Sequence, residues 1–109
     1  MSEDKVHFVK ITFGPLSEQE MELLLSEDER LNDLFVDPAV VNYDGYERGK
    51  QDFVMYFYGT DADRMAALII PELSALPFID RVVVLKRYGG HGAREEAMNL
   101  PTEGRSGSS

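Results

Sequence analysis

The sequence predicts an α+β domain of β-α-β-β-α-β order, the ferredoxin-like arrangement with a four-stranded antiparallel sheet carrying two helices on one face. Three observations lead there. Residues 52–76 read as an aromatic strand, residues 53–58, stopped by Gly59 and followed by a helix capped by Thr60 or Asp61. A capping box directly after Gly14-Pro15 marks the start of an earlier helix. Strand-like runs precede the first helix, follow it, and follow the second.

The first strand spans residues 5–13, with Val9, Ile11 and Phe13 on one face and Val6, Phe8, Lys10 and Thr12 on the other. Ser17-Glu18-Gln19-Glu20 then has the spacing of a capping box, and Leu16 with Met21 that of a hydrophobic staple. Met21, Leu24 and Leu25 begin a buried stripe. A second box, Ser26-Glu27-Asp28-Glu29, predicts that the helix breaks and restarts before Leu31 and Leu34. Asp37-Pro38 closes it, because the residue ahead of a proline is driven out of helical geometry.

Strands over residues 40–47 and 52–58 follow; Asp44-Gly45 and Arg48-Gly49-Lys50 both offer a turn between them, and the later one is favoured because it leaves strands of matched length, with Gly45 as a bulge. In the second helix Met65, Leu68, Ile69, Leu73 and Leu76 recur at helical spacing. Pro71 is expected to kink that helix and Pro77 to end it. Residues 81–88 form the fourth strand, whose run Val82-Val83-Val84-Leu85 lacks alternation, as strands covered on both faces do. One domain is expected over residues 1–90. Residues 91–109, rich in glycine and serine, read as a flexible tail with a short helix over 93–100.

A chain of 109 residues buries roughly two-thirds of its unfolded surface, and 43% hydrophobic content is that of a globular protein. With no cysteine there are no disulfides or thiolate metal sites, which fits a reducing compartment. The N-terminus lacks the apolar core of a signal peptide and no apolar run reaches the length of a membrane span, so the expected location is cytoplasmic. The net charge of −9 disfavours nucleic acid and anionic membranes as partners.

Chemistry-bearing motifs are sparse. His7 and His91 are the only histidines, and neither has the close acidic or histidine spacing of a metal site. There is no nucleophile elbow, phosphate loop or dinucleotide fingerprint, so no catalytic residue, cofactor or metal is assigned. Asp61 and Asp63 read as capping groups. Phe53-Val54-Met55-Tyr56 matches half of the octamer that RNA-recognition motifs carry on this strand, but Gly49-Lys50-Gln51-Asp52 lacks its stacking aromatic.

Two surfaces stand out instead. Strand alternation assigns Phe8, Lys10, Tyr56, Tyr58, Val82, Val84, Lys86 and Tyr88 to the sheet face that the helices leave open. An apolar face of that size suits a protein interface, a homodimer among them. On the first helix Glu18, Glu22, Glu29 and Asp33 fall opposite the buried stripe, within a segment holding eight acids, from Glu18 to Asp37, against the single base Arg30. That surface suits a basic protein partner, as inhibitor and immunity proteins use against basic toxins. The reading is therefore a small acidic protein-interaction domain. The alternative is a dimeric small-molecule-binding protein or enzyme of the same fold, with His7, Tyr56 or Tyr58 lining a pocket at the sheet.

Overall fold

The computed structural model describes residues 6–90 and 92–100. These form a mixed α+β domain with two helices and a six-stranded antiparallel sheet of order β2-β3-β4-β1-β5-β6. The strands are β1 (His7–Phe13), β2 (Val36–Asp37), β3 (Val41–Arg48), β4 (Phe53–Gly59), β5 (Val82–Arg87) and β6 (Glu95–Leu100). The helices are α1 (Glu18–Leu34) and α2 (Ala62–Leu73). The expected count of four strands is thus corrected to six. Val36 and Asp37 add a short edge beside β3, and Glu95–Leu100, read from the sequence as helix, pairs with all of β5. The expected strand start at Lys5 and the expectations for His91 and residues 101–109 lie outside the described residues.

β1 is the central strand, paired with β4 from His7↔Gly59 to Phe13↔Phe53 and with β5 from Phe8↔Arg87 to Phe13↔Val82. Its side chains alternate from Val9 to Phe13, buried on the helix side and half-buried on the other, while Phe8 is buried on the open side by its own neighbours. Val9, Ile11 and Phe13 enter the core with Phe53, Met55 and Phe57 of β4 and with Val82 and Val84 of β5. Both helices cover this same face: Met21, Leu24 and Leu31 of α1 and Ala62, Met65, Ile69 and Leu73 of α2 join that cluster. Phe78, between α2 and β5, completes it edge-on to Phe13.

Local signals place the helices. The capping box forms, with Ser17 Oγ accepting from the Glu20 amide and Glu20 Oε1 accepting from the Ser17 amide at 2.9 Å. Leu16 and Met21 are both buried, as a staple requires. The helix does not break at Ser26; α1 runs on to Leu34, because Leu24 and Leu31 continue one buried stripe across that point. In α2 the stripe uses Ala62 and Ala66 rather than Leu68, which is 39% exposed. The helix passes Pro71 and ends at Leu73, short of Pro77.

The turn between β3 and β4 falls at Gly49–Asp52, closed by the Gly49 amide on the Asp52 carbonyl, and the ladder shifts between Tyr43 and Tyr46, with Gly45 at φ 103. A left-handed residue in a bulge favours glycine. The shift keeps both Tyr43 and Tyr46 on the core side, Tyr46 stacked on Phe53 at 4.7 Å.

Candidate interaction surfaces

The open face of the sheet holds Phe8, Lys10 and Thr12 of β1, Val54, Tyr56 and Tyr58 of β4, and Val83, Leu85 and Arg87 of β5. Phe8 sits in the middle. Its ring lies 5.3 Å from that of Tyr58 and 5.9 Å from that of Tyr56, and the Arg87 guanidinium stands 4.7 Å from it. Those neighbours leave Phe8 only 9% exposed although, among the described residues, no helix covers that face. The Tyr56 hydroxyl donates to Glu47 on β3 at 2.7 Å, and this bond holds the Tyr56 phenol up at a pKa of about 12.

The structure brings Phe8, Lys10, Tyr56 and Tyr58 together as expected, but it moves the whole of β5 by one residue. Val82 and Val84 are core residues at 1% and 0% exposure, whereas Val83 is 40% exposed. A one-residue slip sends every side chain of a strand to the other face. The uniform run Val82–Leu85 carries no alternation to set the phase. Nor do the next two residues: Lys86 and Arg87 are both bases, and only their partners separate them.

Lys86 and Tyr88 therefore lie on the helix side, at the start of α2. Lys86 Nζ is 2.8 Å from Asp63 Oδ1, and the Tyr88 hydroxyl donates to the same oxygen at 2.6 Å. The Lys86 ammonium holds the Asp63 carboxyl below the usual carboxylate range, and Asp63 in turn raises Lys86. Burial, with Asp63 as acceptor, raises the Tyr88 phenol. Glu96 and Arg94 reach the cluster from β6 and the loop before it, Arg94 lying 4.2 Å from the Tyr88 ring. This network fastens β6 and α2 to β5.

His7 closes the same end. Its Nδ1 accepts from the Ala62 amide at 2.9 Å, which places its ring proton on Nε2. Asp61 Oδ1 accepts from the Asp63 and Arg64 amides, so Asp61, not Thr60, caps α2. The first amides of the helix are thus taken by His7 of β1 and by the cap Asp61, and they offer no cradle for a phosphate.

The acids of α1 divide into two sets. Glu20 forms an ion pair with Arg81 at 2.7 Å, Glu27 pairs with Arg30, and Asp28 accepts from the buried Tyr43 hydroxyl at 2.6 Å. Arg81 lowers the Glu20 pKa, and burial with the Asp28 bond raises Tyr43. Glu18, Glu22, Glu29 and Asp33 are all exposed, and none of them meets a cation or donor among the described residues. They line the outer side of α1, with the helix layer and the sheet between them and the open face.

A pocket of about 1160 Å³ lies at the far end of the sheet from His7. Thr12, Pro15, Lys50, Asp52, Arg81 and Leu100 line parts of it, so it touches the rim of the open face rather than its aromatic centre. Among the described residues no group of three His, Asp or Glu side chains is placed to hold a metal, and no helix is long and apolar enough to cross a membrane. Comparison with family models, curated proteins and solved structures finds no significant match.

Proposed function

We propose that this chain is a ferredoxin-like domain with a strand added at each edge, acting by protein contact rather than catalysis, through the open sheet face. The order β3-β4-β1-β5 of the inner strands, with both helices on one face, supports the fold reading. A single observation carries the function: Phe8, Tyr56, Tyr58 and Arg87 form a packed cluster in the middle of a face that no helix covers among the described residues. Val54, Val83 and Leu85 extend it on both sides. Aromatic and arginine side chains dominate the energetics of protein interfaces, and side chains already held by one another lose less freedom when a partner arrives.

The four acids of α1 that meet no cation among the described residues favour a second contact, with a basic protein partner. Glu18 with Glu22 and Glu29 with Asp33 are like charges four apart, an arrangement that disfavours the helix unless something uses it. An inhibitor or immunity role against a basic protein fits that stripe. The stripe and the sheet face lie on opposite sides of the molecule, so one small partner does not span both.

The contact reading is tested by thiol protection. The chain has no cysteine, so Val83→Cys places a single thiol on the open face and Ala67→Cys one on the exposed side of α2. In an extract of the cells that make the protein, the Val83→Cys thiol should react with a maleimide about tenfold more slowly than in dilute buffer, with the Ala67→Cys thiol unchanged. A Val83→Cys thiol that reacts as fast as Ala67→Cys in extract, and as fast in concentrated as in dilute buffer, would refute the contact reading.

A further inference from the structure

We infer that β6 is a docking edge, to which a second copy of this chain adds its own β6, antiparallel, so that one sheet runs through both copies. This contact is separate from the open face. The two edges of the sheet differ. β2 is two residues long and runs into Pro38, and β3 behind it carries the Gly45 bulge; short strands and bulges both blunt an edge. β6 pairs with β5 through all six of its residues without a shift, and it holds neither proline nor lysine. Among the described residues nothing pairs with its outer side.

The hydrogen-bond phase fixes what that side offers. The Tyr88 amide donates to the Arg94 carbonyl at 2.9 Å, so Tyr88 and Arg94 form a bonded pair. Bonded and non-bonded pairs alternate along an antiparallel ladder, which turns the backbone groups of Glu96, Met98 and Leu100 toward β5. Those of Glu95, Ala97 and Asn99 point outward. A second copy matches all of them in one two-fold register, with Ala97 on the axis opposite its counterpart and Glu95 opposite Asn99, whose amide can donate to the carboxylate. Every outward N–H and C=O then bonds. Sliding the strands one step either way leaves part of them unpaired, and the step toward the start of β6 also sets Glu96 directly against its counterpart, a repulsive pair.

The joint is sterically open. Its axis stands perpendicular to the sheet, so both helix layers stay on one side. α2 packs over β1, β4 and β5. The two β5 strands lie about 14 Å apart across the joint, three strand spacings, beyond the roughly 8–10 Å at which packed helices meet. One short strand from each copy buries less than a standard interface, so the dimer is a weak, reversible one.

The test is amide hydrogen exchange of the full chain, read residue by residue at about 20 µM and about 1 mM, with sedimentation equilibrium over the same range. The amides of Glu95, Ala97 and Asn99 should slow about threefold or more at the higher concentration. Those of Glu96, Met98 and Leu100 should be slow at both, because β5 holds them. Ala97→Pro removes an outward N–H and no inward one, so it should stay folded and monomeric. Ala97→Lys keeps the backbone and sets two ammonium groups across the axis, so it should raise the dissociation constant of the dimer at least about tenfold. Circular dichroism and melting identify a variant that has unfolded, and the lysine variant carries the test if the proline variant is lost. A parent that stays monomeric throughout, or a dimer indifferent to Ala97→Lys, would overturn the inference. Outward amides that exchange alike at both concentrations would overturn it too: fast, the edge is free, and slow, another segment of the same chain pairs with it.

Discussion

Lys86 and Arg87 are consecutive bases that serve opposite faces of the sheet. Lys86 meets Asp63 at 2.8 Å beside α2, and Arg87 stands 4.7 Å from the Phe8 ring on the open face. The phase of β5 follows from this pair, and with it the identity of the exposed apolar residues.

That phase gives a direct mutational contrast. Val84→Lys places an ammonium at a fully buried position and should destabilise the fold by at least about 3 kcal/mol. Val83→Lys, one residue earlier on the exposed face, should change stability by less than about 0.5 kcal/mol in dilute solution. Urea midpoints of the two variants decide it, and equal losses would contradict the phase.

Stability should fall at both ends of the pH scale, for different groups. Asp63 and Glu20 are held below their usual range by Lys86 and Arg81, so the stability they contribute is present above the unfolded value of about 4 and lost as pH falls through their folded values. The double variant Asp63→Asn, Glu20→Gln should show a shallower acid limb than the parent. Tyr56 is raised to about 12 by Glu47, so its contribution is present below about 10 and lost as pH climbs toward 12. Tyr56→Phe should remove a tyrosinate absorbance step centred near 12.

Reversing charge on α1 should make the helix more stable. Glu22→Lys with Asp33→Lys converts two repulsive pairs, Glu18 with Glu22 and Glu29 with Asp33, into attractive ones. Each pair swings from repulsion to attraction, so the gain for the two together is about 0.8–2 kcal/mol, and it should shrink as salt rises. If a basic partner uses the stripe, the same variant slows its association at low salt. A fall in melting temperature would contradict the placement of these four acids on the solvent side.

Single-stranded RNA should not bind measurably near physiological salt. Phe8, Tyr56 and Tyr58 are grouped as a stacking platform would be, with Lys10 and Arg87 beside them. Asp44, Glu47 and Glu95 flank the platform, and the chain carries −9 overall, so the backbone of the nucleic acid meets repulsion. Fluorescence anisotropy with a labelled oligonucleotide checks this, and micromolar binding lost in Tyr56→Ala would contradict it.

Much of the fold was legible because local rules agreed with the tertiary result. Ser17 and Glu20 close the capping box that their spacing suggests, Gly45 takes the bulge, and the turn lies at Gly49. The failures have one physical origin. Ser26 has the pattern of a cap but sits inside a helix whose buried stripe continues past it, and packing outweighs a local signal. Glu95–Leu100 has helix-forming residues yet forms a strand, because β5 offers an unpaired edge beside it. Val82–Leu85 could take either phase, and only long-range partners, Asp63 for one base and Phe8 for the other, settle it. The aromatic half of the candidate surface was therefore readable from β1 and β4. The aliphatic half, Val83 and Leu85, was not.

The most direct test of the open face as a contact surface is solvent paramagnetic relaxation of side-chain methyl resonances, using a soluble relaxation agent. Val54, Val83 and Leu85 report on the face, and Leu23 and Leu68 on the outer sides of the helices. In concentrated protein, or with the partner present, the three face methyls should be shielded while Leu23 and Leu68 keep their full enhancement. Enhancement of Val83 and Leu85 that matches Leu68 under every condition would contradict the account.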